Sequence, residues 1–222
     1  MAWKYLLFDL DGTLTDSREG IVNCIKYALE EMKKPIPPEK QLLKMVGPPL
    51  RDGFQEIVGL SCEESEEAVQ KYRERFGVVG LFENKLYDGM EEVLARLQER
   101  GYLLILATSK PEEYSIRILE HFGIKEYFTE IVGSTMDGSR NEKGDIIREV
   151  FARLGITDEQ KKEAIMIGDR KHDILGAKEC HISSLGVSYG FAPEHELEEY
   201  KADYIVNEVS DLLSFFNIEN CF

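Results

Sequence analysis

Six short apolar runs recur along the chain, and the segments between them decide what it can fold into. Tyr5–Phe8, Tyr102–Thr108, Glu130–Ser134, Ala164–Asp169, Ser183–Gly190 and Ala202–Val206 each read as a buried strand. Between them lie segments with helical periodicity. Met90–Arg100 precedes the second strand, and Glu112–Phe122 follows it and stops at Gly123. Lys143–Leu154 stops at Gly155, "TDEQ" at Thr157–Gln160 reads as a capping box, and His172–Glu179 follows the fourth strand. Strands alternating with helices build βα units. The fold class expected is α/β, with a parallel sheet buried on both faces.

The alternation breaks once. From Arg18 to about Glu83 no run resembles a strand. Arg18–Lys33, Glu39–Val46 and Glu63–Phe76 read as helices, the last after a capping box at Ser61. Pro35, Pro37 and Pro38 punctuate the first joint, and "KMVGPPLRDGF" punctuates the second. The reading is a helical insertion at 17–84 within a core formed by 1–16 and 85–222.

Ligands of open parallel sheets bind beyond the carboxyl ends of the strands. Asp9 and Asp11 follow the first apolar run. Thr108, Ser109 and Lys110 follow the second. Lys143 comes some way after the third, and Asp169 and Asp173 follow the fourth. Four strand ends thus carry carboxylates, hydroxyls and ammoniums. Asp9 and Asp11 project to one side of an extended chain, and two close carboxylates need a shared proton or cation. Asp169 adds a third. Magnesium suits such an all-oxygen set, with waters and a phosphate oxygen completing its shell; zinc would want His or Cys. Gly12 would let the chain turn sharply and aim backbone N–H groups at an anion. Phosphoryl transfer needs a nucleophile, an acid for the leaving group and charge around the transferring oxygens. This set supplies each.

"DLDGT" at Asp9–Thr13, "ATS" at Ala107–Ser109, Lys143 and "GDRKHD" at Gly168–Asp173 resemble, in order and spacing, the four motifs of the haloacid dehalogenase superfamily. The resemblance covers the chain to about Ala192. It implies a Rossmann-like core with an α-helical cap inserted after the first strand. By that resemblance Asp9 is the nucleophile and Asp11 the general acid and base. Asp9, Asp11 through its backbone carbonyl, and Asp169 hold Mg2+. Thr108, Ser109 and Lys143 bind the phosphoryl group, and Asp173 orients Lys143 or a water on the metal. Lys143 is followed by Gly144 where many relatives have proline, which leaves Lys110 as a rival for its place. "FDLDGTLTDS", "VGPPLRDGF", "VGSTMDGSRNEKGDII" and "MIGDRKHDILGAKE" are similar to the branch of phosphoglycolate phosphatases and 5′-nucleotidases. The expected activity is magnesium-dependent hydrolysis of a small phosphomonoester through an aspartyl-phosphate.

Rival readings are a sugar-phosphate mutase or a pyrophosphatase on the same core, a dehalogenase, and a binding module that kept the fold. Asp11 argues against the dehalogenase, which needs no acid there. The full acid, base and metal set argues against the binding module. Arg51 could grip a substrate carboxylate or phosphate, or be an ordinary solvated arginine. His172 and His195 read as surface residues, and Trp3 as core or interface. "CEESEE" at Cys62–Glu67 reads as a solvated helix start, and "ENCF" at the end as a frayed terminus.

The formal charge of −15 argues against nucleic acid or an anionic membrane as a partner. It also obliges any anionic substrate to find its cations locally. Cys24, Cys62, Cys180 and Cys221 form no CxxC pair, which suits reduced thiols in the cytoplasm. No run is long and apolar enough for a membrane span, and no signal peptide is evident. A small-molecule phosphate ester is the expected partner, with the protein a monomer or homodimer.

Overall fold

The computed structural model describes residues 3–47 and 49–218. The chain divides into two compact units, one of Met1–Thr15 with Leu86–Phe222 and one of Asp16–Lys85.

The first unit is built on a six-stranded sheet. Its strands are β1 (Tyr5–Phe8), β2 (Leu103–Pro111), β3 (Phe128–Ser134), β4 (Ala164–Gly168), β5 (Ser183–Val187) and β6 (Tyr204–Val206). They lie in the order β3-β2-β1-β4-β5-β6, and every pairing is parallel. This is the strand order of a Rossmann fold, with the switch point beside β1. Leu7, Ile105, Ala107, Val132 and Met166 pack with Ile146, Ile147, Val150 and Phe151 of the helix Lys143–Leu154. The alternate strand residues Leu6, Phe8, Leu104, Leu106, Ile165 and Ile167 are equally buried. Both faces are therefore covered, which is why these strands read as unbroken apolar runs.

Register positions the site. Phe8 lies opposite Leu106 on one side and Ile167 on the other. Asp9 leaves β1 at this level, whereas Ala107 still pairs with Val132 and Gly168 with Gly186, so Thr108 and Asp169 follow one residue later at the same carboxyl edge.

The second unit is helical. Its main helices are Arg18–Glu31 and Cys62–Arg75, and the second starts at a capping box between Ser61 and Glu64. Arg75 pairs with Glu83, which also accepts a hydrogen bond from Asn23. Gly20 lets the first helix approach the turn at Phe76–Gly80, where a Cβ would meet the Gly80 carbonyl.

Several local expectations are corrected. The helix expected over Glu39–Val46 is α only to Leu42 and tightens to 3₁₀ over Leu43–Met45, ahead of Gly47 at φ +102°. "KMVGPPLRDGF" holds more than a joint, because Leu50–Glu56 is a helix entered at Pro49. Its Gly53 packs on Met45, and Phe54 is fully buried. Thr157 and Gln160 do not form a complete capping box. The Gln160 side chain accepts the Thr157 N–H at 3.0 Å, but the chain continues as a 3₁₀ turn over Gln160–Glu163. The expected frayed end "ENCF" lies outside the described residues, as does Cys221. Among the described residues Cys24, Cys62 and Cys180 are free thiols, and no helix is long and apolar enough to cross a membrane.

Candidate active site

β1 ends at Phe8, and the Asp9 N–H still donates to the Ile167 carbonyl at 2.9 Å. Asp9 therefore leaves the sheet in a fixed direction. Leu10 is fully buried and turns away. Its carbonyl accepts the N–H groups of Leu14 and Thr15, closing a tight loop. Gly12 makes that loop possible at φ +81°, and a Cβ there would lie 2.1 Å from Asp169 Oδ2. No other residue satisfies both the backbone and the neighbour.

Lys143 opens its helix and reaches back under the sheet edge. Its Nζ donates to the Ala107 carbonyl at 2.9 Å and pairs with Asp9 Oδ1 at 2.9 Å and Asp173 Oδ1 at 2.8 Å. Burial alone would disfavour this charge. Asp173 and Asp9 outweigh it and hold the ammonium above the ordinary lysine range. Asp169 follows β4, with Oδ2 accepting the Phe191 N–H at 2.6 Å and Oδ1 facing the Thr13 hydroxyl at 3.5 Å.

One oxygen from each of Asp9, Asp169 and Asp173 lies within 4.8 Å of the others. Burial, then Asp173 and Asp9, push the Asp169 carboxyl well above the ordinary carboxylate range. Asp173 is pushed up to about 6, by burial first and by Asp9, against the pull of Lys143. Such a group of carboxylates has more negative charge than its ammonium can balance. Oxygen-only donors with excess charge fit a hard divalent cation.

The structure thus brings together Asp9, Lys143, Asp169 and Asp173, all in the first unit, and buried Thr108 directly follows Ala107, whose carbonyl Lys143 reaches. The Asp11 side chain takes a different partner. Its Oδ2 lies 2.8 Å from the Nζ of Lys110. The two candidate lysines occupy separate places, Lys143 with Asp9 and Lys110 with Asp11. Arg51 belongs to the helical unit, where it pairs with Glu66. His172 and His195 are exposed. Trp3 stacks on Phe215 and meets Tyr204 edge-on.

Sequence reasoning missed the segment after β5. The Tyr189 hydroxyl donates to the Thr13 carbonyl at 3.0 Å, and Phe191 supplies the N–H to Asp169. Gly190 fits between them, since a Cβ would lie 2.3 Å from both Asp169 Cβ and the Gly12 carbonyl. The signal was a glycine at a fifth strand end, in "SYGF". Glu196 was also missed. Nearly buried, it accepts from Arg170 Nε at 2.8 Å and from the Lys171 N–H at 2.9 Å, which braces the turn carrying Asp169 and Asp173.

Known proteins are similar to this chain in sequence and in fold. A 5′-nucleotidase of Pseudomonas aeruginosa is 41% identical, over 96% of this chain and 95% of its own length. A tyrosine-protein kinase, PtkA, of Mycobacterium tuberculosis is 40% identical over 85% of this chain, which spans 63% of that longer protein. A crystal structure of a predicted phosphatase from Clostridium acetobutylicum superposes with a TM-score of 0.90 at 44% identity, covering 98% of this chain and 99% of that one. The sequence model of haloacid dehalogenase-like hydrolases matches residues 6–187, from within β1 to the end of β5. That span holds every strand end that delivers a charged group to the site, and the chain belongs to the haloacid dehalogenase-like hydrolase family.

Proposed function

We propose that the protein is a magnesium-dependent phosphatase that hydrolyses a small phosphomonoester through an aspartyl-phosphate on Asp9. The observation that carries this reading is the pairing of acids with cations. Asp9 is held by Lys143 within a carboxylate cluster fit for a metal, while Asp11, two residues on, is held apart by Lys110.

Asp9 attacks phosphorus as the bond to the leaving oxygen breaks, and Asp11 gives its proton to that oxygen. Asp11 then takes a proton from the water that attacks phosphorus. The bond to Asp9 breaks and inorganic phosphate leaves. Lys143, the Thr108 hydroxyl and the Ser109 N–H hold the phosphoryl oxygens. Asp173 keeps Lys143 aimed at Asp9. Magnesium, bound by Asp9, Asp169 and the Asp11 backbone carbonyl, would supply positive charge to the phosphoryl oxygens. The helical unit is proposed as the cap domain, with Arg51 a candidate for substrate contact. Free thiols support a cytoplasmic setting, and the protein is proposed to act as a monomer or homodimer.

Resemblance to phosphoglycolate phosphatases and 5′-nucleotidases favours those substrates. A phosphate-release screen with magnesium over phosphoglycolate, nucleoside monophosphates, sugar phosphates and pyrophosphate tests the reading. Turnover of at least one ester, abolished in a folded Asp9→Asn variant, is expected. Near-normal turnover by Asp9→Asn would sink the mechanism.

A further inference from the structure

Beyond Ala107, β2 leaves its regular ladder. Ala107 pairs with Val132 of β3, but the next pair is Pro111 with Ser134. Four steps along β2 match two along β3, so residues 108–110 bulge out. The bulge carries Thr108, Ser109 and Lys110. It is fixed from within, because the Lys110 N–H donates to the Thr108 hydroxyl oxygen at 3.2 Å. The Lys110 side chain is only 6% exposed, and its Nζ lies 2.8 Å from Asp11 Oδ2.

The two oxygens of Asp11 are not equivalent. Oδ2 faces Lys110. Oδ1 is buried and accepts no hydrogen bond from any described residue. A carboxylate that serves as acid and then base needs one oxygen free and aimed at the reacting atom. A buried oxygen without a donor otherwise costs stability. Lys143 cannot supply the tether, since its ammonium already serves Asp9, Asp173 and the Ala107 carbonyl.

We propose that Lys110 is a positioning residue that holds Asp11 by Oδ2 and so presents Oδ1 to the leaving-group oxygen. The proposal rests on the phosphatase reading above. It separates the work of the two lysines: Lys143 acts on the nucleophile and the phosphoryl group, and Lys110 acts through Asp11 on the leaving group.

The test compares two esters that share a phosphoryl group. 4-Nitrophenolate leaves without a proton, whereas the glycerol of β-glycerophosphate needs one. kcat/KM reports the steps up to the aspartyl-phosphate, so a loss of phosphoryl binding lowers both esters alike. Lys110→Met should lower kcat/KM for β-glycerophosphate about 100-fold and leave 4-nitrophenyl phosphate within about threefold. Lys110→Arg should recover most of the loss. In an Asp11→Asn background, Lys110→Met should add almost nothing. Lys110→Gln serves the same comparison if Lys110→Met does not fold. An unchanged ratio between the two esters, or a full further loss in the Asp11→Asn background, overturns the proposal. An active wild type with an unchanged ratio overturns this proposal alone. A wild type that releases no phosphate from any ester overturns the phosphatase reading and this proposal with it.

Discussion

Gly12→Ala tests the packing of the site without changing a charge. Gly12 sits at φ +81°, and a Cβ there would lie 2.1, 2.5 and 2.8 Å from Asp169 Oδ2, Cγ and Oδ1. The backbone strain of a left-handed alanine is about 1–2 kcal/mol. Ordinary contact needs roughly 3.4 Å, so the Asp169 carboxylate must retreat by more than 1 Å. That movement breaks the 2.6 Å bond from the Phe191 N–H, worth about 1.5–3 kcal/mol for a charged acceptor. Metal ligation tolerates displacements of only about 0.2 Å. The expected total is about 3–5 kcal/mol, or a fall in Tm of roughly 10 °C, together with loss of the magnesium-induced rise in Tm. Gly101→Ala is the internal control. Gly101 has φ +85° in the same unit, but nothing lies within 4 Å of its Cβ position. It should lose only the backbone part, about 1–2 kcal/mol, and keep its magnesium response. Paired thermal melts with and without magnesium give the answer. If Gly12→Ala costs no more than Gly101→Ala and still responds to magnesium, Asp169 is not held by this contact.

The contribution of Asp173 to stability without metal should fall as pH rises from about 4 through 6. The fold raises Asp173 from 3.8 to about 6. Between those values the folded protein keeps a proton that the unfolded chain has released, so raising the pH favours unfolding, by up to about 3 kcal/mol. Magnesium should stabilise the protein more at pH 7 than at pH 4.5, which melts with magnesium or chelator will show; a pH-independent magnesium effect would contradict this. Lys143→Met should destabilise the protein by about 3–5 kcal/mol at neutral pH, because it leaves buried carboxylates without their ammonium. The loss should shrink at pH 5, as the acids take up protons; urea unfolding at the two pH values measures it.

The sheet was legible because strands covered on both faces must be apolar at every position. Tyr5–Phe8 and Ala164–Ile167 are buried without exception, and no alternation blurs them. Lys143–Leu154 was legible to the residue, because Gly155 takes the left-handed conformation that ends the helix. The helix Leu50–Glu56 was hidden by its prolines and glycine, which signal a turn wherever they stand. Its stability comes from Met45 beneath Gly53, a tertiary contact that local patterning does not encode. At the site, strand ends exposed the acids and lysines. The bonds from Tyr189 and Phe191 join residues more than twenty positions apart. They depend on β5 lying next to β4, a fact of strand order rather than of local sequence.

A chain of formal charge −15 must still bind a phosphate dianion, and the site shows how the opposition is contained. Four carboxylates, Asp9, Asp11, Asp169 and Asp173, face two ammoniums, Lys110 and Lys143. Lys143 is shared between Asp9 and Asp173 and Lys110 pairs with Asp11, so the carboxylates keep an excess of two charges that presses on the most buried pair, Asp169 and Asp173. Those are the two acids whose affinity for protons the fold raises. Burial and mutual repulsion thus set both acids against ionisation. A divalent cation, as proposed above, would bring the cluster near neutrality and give a phosphoryl group a field that does not repel it. The proposed metal dependence and the local reversal of the global charge would then have one origin: two more carboxylates at the site than the lysines can balance.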